Sequence, residues 1–112
     1  MGSKIQDVAI KIFFFISKKW KLTEEEEIIL LGSPCEIKIL RAGQTGSLDD
    51  EMLARISHIT VIYKRLHTLF DDPETADTWI RRSNQYFDGK PAIEVMKTDL
   101  KVVRDYLSHQ MH

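Results

Sequence analysis

The sequence predicts an all-α protein with short N-terminal helices, a long central helix and a small C-terminal helical module. Apolar residues recur three or four positions apart along nearly the whole chain, whereas strict alternation of apolar and polar residues is nowhere long enough to indicate a sheet. The chain has 112 residues, of which 43% are hydrophobic and 29% are charged, as is ordinary for one globular domain. We therefore expect a single unit, for which an arrangement in two lobes stays open.

The composition argues against several classes of function. Sixteen basic and seventeen acidic residues give a formal net charge of -1, so no overall positive field favours nucleic acid or an anionic membrane. The single cysteine, Cys35, permits no intramolecular disulfide and no thiolate cluster for zinc, and we interpret it as apolar filler in a reducing compartment. The apolar run from Ile12 to Ile16 is far shorter than the roughly 20 residues of a membrane-spanning helix. We expect a cytoplasmic protein without a membrane partner.

The first predicted helix is apolar over a wide face. Three phenylalanines, Phe13 to Phe15, widen an aliphatic stripe until almost no polar side remains. The aliphatic stripe consists of Ile5, Val8, Ala9, Ile12 and Ile16. Such a width indicates either burial or a surface for self-association, for which a homodimer is the simplest form.

Two short helices are predicted to begin at capping boxes, in which a hydroxyl residue precedes a glutamate by three positions. The two boxes pair Thr23 with Glu26 and Ser33 with Glu36. Gly32 can end the first helix, and Pro34 fits the first position of the second. The acidic run from Glu24 to Glu27 lies at the positive end of the first helix, so we interpret it as a solvated helix start and not as a metal or catalytic site.

A helix, a short glycine turn and a second helix form the arrangement of a helix-turn-helix, in which the second helix lies in a DNA major groove. The candidate recognition helix covers residues 34–42, with Ile37 and Leu40 toward the core. Its outward residues are few, whereas base recognition usually needs arginine or amide side chains, so DNA binding and plain surface charge are equal alternatives. The tentative DNA contacts are Lys18, Lys19, Lys21, Ser33, Lys38 and Arg41.

A loop at residues 43–46 precedes the long central helix, which Ser47 can cap and which runs from about Asp49 to Phe70. At 1.5 Å per residue this helix would be roughly 33 Å long. Its apolar stripe, alternating four and three residues apart, consists of Met52, Ile56, Ile59, Tyr63, Leu66 and Phe70. Three heptads are short for a coiled coil, so we expect packing within the domain. We divide the chain into an N-terminal region, 1–46, and one compact unit, 47–112.

The C-terminal module is predicted to contain short helices separated by turns. The residues predicted to start them are Asp72 with Pro73, then Pro91, then Thr98 or Asp99. A tight bend occupies residues 87–91, and the last helix repeats Leu100, Val103 and Leu107 at three and four residues. Residues 108–112 have no packing pattern of their own.

The sequence contains no local motif of catalysis or cofactor binding. Gly-x-Ser-x-Gly, a Cys-His signature and a phosphate-cradling glycine loop are all missing. His58 and His67 are far apart, and His109 and His112 lie near the chain end, so neither pair is a credible metal site without further ligands. We interpret His58 and His67 as helix-surface or boundary residues, and we expect no enzyme, cofactor or metal.

An ordered combination of motifs covers nearly the whole chain after the first dozen residues. Trp20-Lys21-Leu22-Thr23 leads into a helix that ends at Leu30-Leu31-Gly32. The later motifs are Ile56-Ser57, Ile62-Tyr63-Lys64, Leu69-Phe70, Trp79-Ile80, Asn84, Phe87-Asp88-Gly89-Lys90-Pro91-Ala92 and Val103-Arg104-Asp105-Tyr106-Leu107. In this order they resemble the Xre/MbcA/ParS antitoxin family.

The resemblance implies a bacterial type II antitoxin that neutralises a RES-domain toxin, an enzyme that consumes NAD. Members of the family combine an N-terminal helix-turn-helix-like region with a C-terminal toxin-binding domain, and the C-terminal end of the antitoxin blocks the toxin's active site. The implied partners are the cognate RES-domain toxin and operator DNA, with the antitoxin acting as a homodimer or in a higher complex with toxin.

Position by position, the resemblance also implies roles for individual residues. Those that match the motif of the toxin-binding domain and its last helix are Trp79, Asn84, Phe87, Gly89, Pro91, Ala92, Val103, Tyr106 and Leu107. We expect Trp79 and Phe87 to close the core, and Gly89 and Pro91 to shape the bend. The predicted toxin contacts are Asn84, Lys90, Arg104, Ser108, His109, Gln110, Met111 and His112.

The alternative is a stand-alone helix-turn-helix transcriptional regulator. Such a regulator would bind a short palindrome with salt-sensitive affinity even without a toxin. Because Glu36, Ile37 and Ile39 make the predicted recognition helix apolar and acidic, the sequence supports toxin binding more strongly than DNA reading.

Overall fold

The computed structural model describes residues 3–32 and 37–110. Its helices are α1 (Lys4–Trp20), α2 (Glu24–Leu31), α3 (Ile37–Arg41), α4 (Asp50–Leu69), α5 (Pro73–Thr78), α6 (Ala92–Met96) and α7 (Leu100–His109). Short 3-10 turns occupy Trp79–Arg81 and Gln85–Phe87. Within the described ranges there is no strand, and Ser83 and Pro91 form an isolated antiparallel bridge. The prediction of an all-α fold with a long central helix is confirmed.

The chain divides into two compact units, Met1–Thr60 and Val61–His112. The division lies within α4, so the first half of this helix belongs to one unit and the second half to the other. The boundary predicted after residue 46 divides the chain by the predicted roles of its two parts, not by their compactness. This boundary stays a prediction.

Local capping explains where most helices begin and end. The capping box of Thr23 and Glu26 is confirmed, and Gly32 ends α2 in the left-handed conformation, at φ 76°. A second box, of Ser3 and Gln6, begins α1. The predicted box of Ser33 and Glu36 lies outside the described residues, as do Pro34 and Cys35.

The start of α4 differs from the prediction. The Asp49 carboxylate accepts a hydrogen bond from the backbone N–H of Met52 at 2.8 Å, so Asp49 carries the capping bond that was expected of Ser47. Asp49 is one residue before the helix, where its side chain reaches the free N–H groups of the first turn and its charge complements the helix dipole.

The core of the first unit lies between α1, the short helices and the first half of α4. Its buried apolar side chains are Ile10, Phe13, Ile16, Trp20, Leu30, Leu31, Ile37, Leu40, Leu48, Met52, Ile56 and Ile59. Two polar contacts fix the segment after α3 onto α1. The Thr45 hydroxyl donates to Asp7 at 2.5 Å, and the Gln6 side-chain amide donates to the Leu48 carbonyl at 2.7 Å.

Glu27 corrects the interpretation of the acidic run. Glu24 and Glu25 are exposed, but Glu27 is only 3% exposed. The Ser17 hydroxyl on α1 and the Arg41 guanidinium on α3 each donate a hydrogen bond of 2.5 Å to its carboxylate. A buried carboxylate is tolerated only when its oxygens are satisfied in this way, so Glu27 joins three helices of the first unit.

The second half of α4, the short elements after it and α7 form the core of the second unit. Its buried apolar side chains are Ile62, Leu66, Ala76, Ile80, Phe87, Ala92, Ile93, Met96, Leu100, Val103 and Leu107. His67 on α4 lies 2.7 Å from the Asp77 carboxylate on α5, and the Arg65 guanidinium donates to the Arg104 carbonyl on α7 at 2.8 Å. Burial, together with the charge of Asp77, raises the pKa of Tyr63 above its usual value.

Replacing Arg41 by alanine leaves the buried Glu27 carboxylate with the Ser17 hydroxyl but without its guanidinium. Because Arg41 is 53% exposed and the ion pair is partly screened by water, we expect the free energy of unfolding to fall by about 1–3 kcal/mol. Lys38→Ala, an exposed change on the same helix, should alter it by less than about 0.5 kcal/mol. Urea denaturation followed by circular dichroism measures both, and equal effects would contradict a structural role for Arg41.

Candidate functional site

The bend between the 3-10 turns and α6 is organised around Asn84. Its side-chain oxygen accepts a hydrogen bond from the backbone N–H of Tyr86 at 2.9 Å, and its carbonyl accepts from the N–H groups of Phe87 and Gly89 at 3.0 and 2.9 Å. Its own N–H donates to the Lys90 carbonyl at 3.2 Å. Asn84 therefore fixes the path of the chain through the bend.

Two consecutive residues of the bend adopt the left-handed conformation, Asp88 at φ 59° and Gly89 at φ 84°. Glycine reaches this region without steric cost, and aspartate tolerates it better than most residues. The Ser83 hydroxyl donates to the Gly89 carbonyl at 2.6 Å, which joins the two ends of the bend. The prediction that Gly89 shapes the bend is confirmed.

The bend and α7 together build an aromatic cluster around Tyr106. The centroid of the Tyr106 ring lies 6.2 Å from Trp79 in a stacked arrangement, 4.3 Å from Tyr86 and 5.3 Å from Phe87. Phe87 is buried, as predicted, whereas Trp79 is only half-buried and does not close the core. Tyr86 is 65% exposed even though its ring touches both Phe87 and Tyr106.

The two edges of α7 differ in chemistry. With roughly 100° of rotation per residue, the buried row of Leu100, Val103 and Leu107 separates one edge with Val102 and Tyr106 from another with Arg104 and Ser108. Val102 is a large exposed apolar residue one turn before Tyr106. We call Trp79, Tyr86, Val102 and Tyr106 the aromatic face.

On the polar side of α7, a lysine and an aspartate neutralise each other's charge. The Lys101 ammonium donates to the Asp105 carboxylate at 2.9 Å, one helical turn away. This hydrogen bond holds the pKa of Asp105 below its usual value, with the charges of Lys101, Arg104 and His109 acting in the same direction. The exposed apolar surface of α7 therefore lies on the edge of Val102 and Tyr106, which belongs to the aromatic face.

The structure separates the predicted toxin contacts into three groups. Asn84 and Lys90 belong to the bend, where Asn84 is half-buried and Lys90 is exposed. Arg104 and Ser108 are half-buried on the edge opposite the aromatic face, and His109 and Gln110 are exposed at the end of α7. Met111 and His112 lie outside the described residues. Contact of these eight residues with a toxin stays a prediction.

Sequence reasoning named neither Tyr86 nor Val102. The available signal for Tyr86 was a second aromatic residue directly before Phe87, in a turn too short to bury both side chains. The signal for Val102 was its position one turn before Tyr106 and outside the row of Leu100, Val103 and Leu107.

The tentative DNA contacts of the first unit differ in how available their side chains are for binding. Lys18, Lys19, Lys21 and Lys38 are exposed, and Lys19 lies over the Phe15 ring at 5.4 Å. Arg41 is already engaged, because its guanidinium pairs with Glu27 and lies 4.3 Å from the centroid of the Phe14 ring. Ser33 lies outside the described residues. Contact of this set with DNA stays a prediction.

Among residues 3–32 and 37–110, no group of three or more histidine, cysteine, aspartate or glutamate residues could hold a metal ion. Nor does any helix in the described part of the chain have the length and apolar character needed to cross a membrane.

Comparisons with known proteins give two matches. Residues 65–112 match the family described as the antitoxin Xre/MbcA/ParS C-terminal toxin-binding domain. Over 108 residues the chain is 41% identical to "Uncharacterized protein y4oB" of Sinorhizobium fredii (strain NBRC 101917 / NGR234), a match that covers 90% of this chain and 82% of that protein. No solved structure matches the chain. The bend, the aromatic face and α7 all lie within the matched residues 65–112.

Proposed function

Because the chain belongs to the Xre/MbcA/ParS antitoxin family, we propose that it is the antitoxin of a type II toxin-antitoxin system. Its partner is a RES-domain toxin, an enzyme that consumes NAD, and it neutralises this toxin in the cytoplasm by blocking the active site. The antitoxin itself needs no cofactor and catalyses no reaction.

The observation that carries this proposal is the aromatic face within the toxin-binding domain. An exposed tyrosine that packs on other aromatic rings gives a large contact area while losing little conformational entropy on binding. Tyrosine and tryptophan are also enriched among the residues that dominate binding energy at protein interfaces. Tyr86, held by the cap of Asn84 and supported by Tyr106, is preorganised for this role.

Neutralisation then needs two parts of the same domain. The aromatic face binds the toxin surface, and the C-terminal residues from Ser108 onward reach the active site and exclude the substrate. Lys90 in the bend and Arg104, on the same edge of α7 as Ser108, add charged contacts. Operon autoregulation is a further part of the proposal, in which Lys18, Lys19, Lys21 and Lys38 bind operator phosphates.

Co-expression with the adjacent reading frame tests the function directly. The neighbouring protein alone should stop growth and lower cellular NAD, and co-expression of the full chain should restore both. The two proteins should also purify together as a complex. If co-expression neither restores growth nor gives a complex, the chain is not the antitoxin of that protein.

Tyr86→Ala should weaken toxin binding by at least about tenfold, since truncation of a tyrosine hot spot costs about 2 kcal/mol or more. Folding should be retained because Tyr86 is largely exposed. Isothermal titration calorimetry measures the dissociation constant, and Lys101→Ala is the matched control on the polar side of α7. Equal affinity of both variants would remove the aromatic face from the interface.

Removal of Ser108 to His112 should weaken inhibition of the toxin more than it weakens folding. These residues follow Leu107, the last buried residue of α7, so the truncated chain keeps the apolar core of the domain. NAD consumption by purified toxin, titrated with each antitoxin, measures inhibition, and thermal unfolding measures stability. Undiminished inhibition by the truncated chain would show that the C-terminal residues do not block the active site.

A further inference from the structure

Two open cavities follow each other along one side of α1. The first, of about 530 Å³, lies between α1 and the C-terminal end of α3. The second, of about 450 Å³, lies between α1 and the start of α2. Phe14 and Arg41 line both cavities, so the two adjoin and form one groove. We call it the basic groove, and its polar and aromatic residues on α1 and at the end of this helix are Asp7, Lys11, Phe14, Lys18 and Lys21.

The basic groove has the length of a short extended peptide. Its residues on α1 are three or four positions apart, which is the spacing of side chains on one side of a helix. At 1.5 Å per residue, the groove is about 21 Å long from Asp7 to Lys21. An extended chain advances about 3.3 Å per residue, so roughly six residues of peptide span this length. A compact small molecule would occupy only part of it.

The middle of the basic groove combines an aromatic ring with a guanidinium. Phe14 is half-buried, and the Arg41 guanidinium carbon lies 4.3 Å from the centroid of its ring. Arg41 is held there by its hydrogen bond to Glu27, which engages one of its terminal nitrogens. A guanidinium has five N–H donors, and the Arg41 side chain is 53% exposed. Arg41 is therefore positioned to donate to a carboxylate in the groove while it stays bonded to Glu27.

The charges of the basic groove change sign along its length. Lys11 and Lys18 are exposed one turn before and one turn after Phe14, so together with Arg41 they make the middle of the groove positive. Carboxylates lie towards the two ends, from Asp7 in the first cavity and Glu24 in the second. A ligand that matches this pattern is negative in its middle and carries hydrogen-bond donors or positive charge at its ends.

We infer that the basic groove binds an extended acidic segment of another protein. The acidic side chains of this segment contact Lys11, Lys18 and Arg41, and an apolar side chain packs against Phe14. A nucleic acid matches the groove less well, because its phosphates are negative along the whole length and would be repelled by the carboxylates at both ends. A peptide can place basic side chains or backbone N–H groups there instead.

This binding goes beyond the proposed antitoxin function and does not rest on it. The basic groove belongs to the first unit, whereas the aromatic face belongs to the second. Either interaction can therefore fail while the other is retained. Because the contact covers only about six peptide residues, we expect a dissociation constant of about 10–100 μM.

Selection of a random peptide library displayed on phage, with the full chain as the target, tests the inference. The library peptides are about ten residues long, enough to span the groove. We expect enrichment of peptides that combine aspartate or glutamate with an aromatic or aliphatic residue. The enriched peptides are then synthesised, and calorimetric titration into the full chain measures their dissociation constants.

Charge reversal in the groove should weaken the enriched peptides. Lys11→Glu and Lys18→Glu should each raise the dissociation constant at least about fivefold, because repulsion replaces attraction. Lys38→Glu, at an exposed lysine of α3 that does not line either cavity, is the matched control and should leave it unchanged. Because all three lysines are exposed, circular dichroism should show equal helix content in the variants.

Nuclear magnetic resonance tests where the peptides bind. In the full chain labelled with nitrogen-15, the backbone amide signals that shift on addition of peptide should cluster at Lys11, Phe14 and residues 41–43. The signals of Tyr86 and Tyr106 should stay unchanged, because the aromatic face does not line the groove.

Three outcomes would overturn the inference. The first is a selection that enriches no peptides, or only peptides without acidic residues. The second is a set of acidic peptides that Lys11→Glu and Lys18→Glu do not weaken, or that shift the signals of the aromatic face instead of the groove. The third is a duplex oligonucleotide that binds through Lys11 and Lys18 more tightly than the enriched peptides at the same salt concentration, since the groove would then be a nucleic-acid site.

Discussion

The apolar stripe of α4 is the constraint on which both units depend. Met52, Ile56 and Ile59 are buried in the first unit, and Ile62 and Leu66 are buried in the second. α4 contains no glycine or proline, and within each unit the helix period places these residues on one face of it. In either unit, a rotation that turned one of its buried residues outward would expose the others of that unit too. The short helices of each unit can therefore pack only around this fixed row.

Local signals predict helix ends well and tertiary partners poorly. The Thr23 box and Gly32 could be read from the sequence because the partners of each lie within four residues. Burial of Glu27 could not be read, because its partners Ser17 and Arg41 are ten and fourteen residues away on other helices. An acidic residue in the first turn of a helix is usually solvated, and only the packing of α1 and α3 overrides this preference.

The same difference between local signals and tertiary partners applies to the candidate site. The shape of its bend depends on local signals, whereas its exposed surface depends on tertiary packing. The bend was predictable from Gly89 and Pro91, whose backbone preferences are local. The aromatic face was not, because Tyr86 and Tyr106 are twenty residues apart and meet only after α7 packs. Conversely, Asn84 is a polar residue of a type that often contacts partners, but its side-chain oxygen already accepts a hydrogen bond from the N–H of Tyr86. A polar residue in a tight bend is thus often occupied by the bend itself.

The exposed apolar side chains of the two units differ in chemistry. Tyr86 in the second unit carries a hydroxyl group that bonds to water, so its ring can stay exposed in the free chain and still bind a partner strongly. Ile5, Val8 and Ile12 on α1 have no polar side-chain atoms and gain only by leaving water. The first kind of side chain suits contacts that form and dissociate, whereas the second kind favours lasting burial.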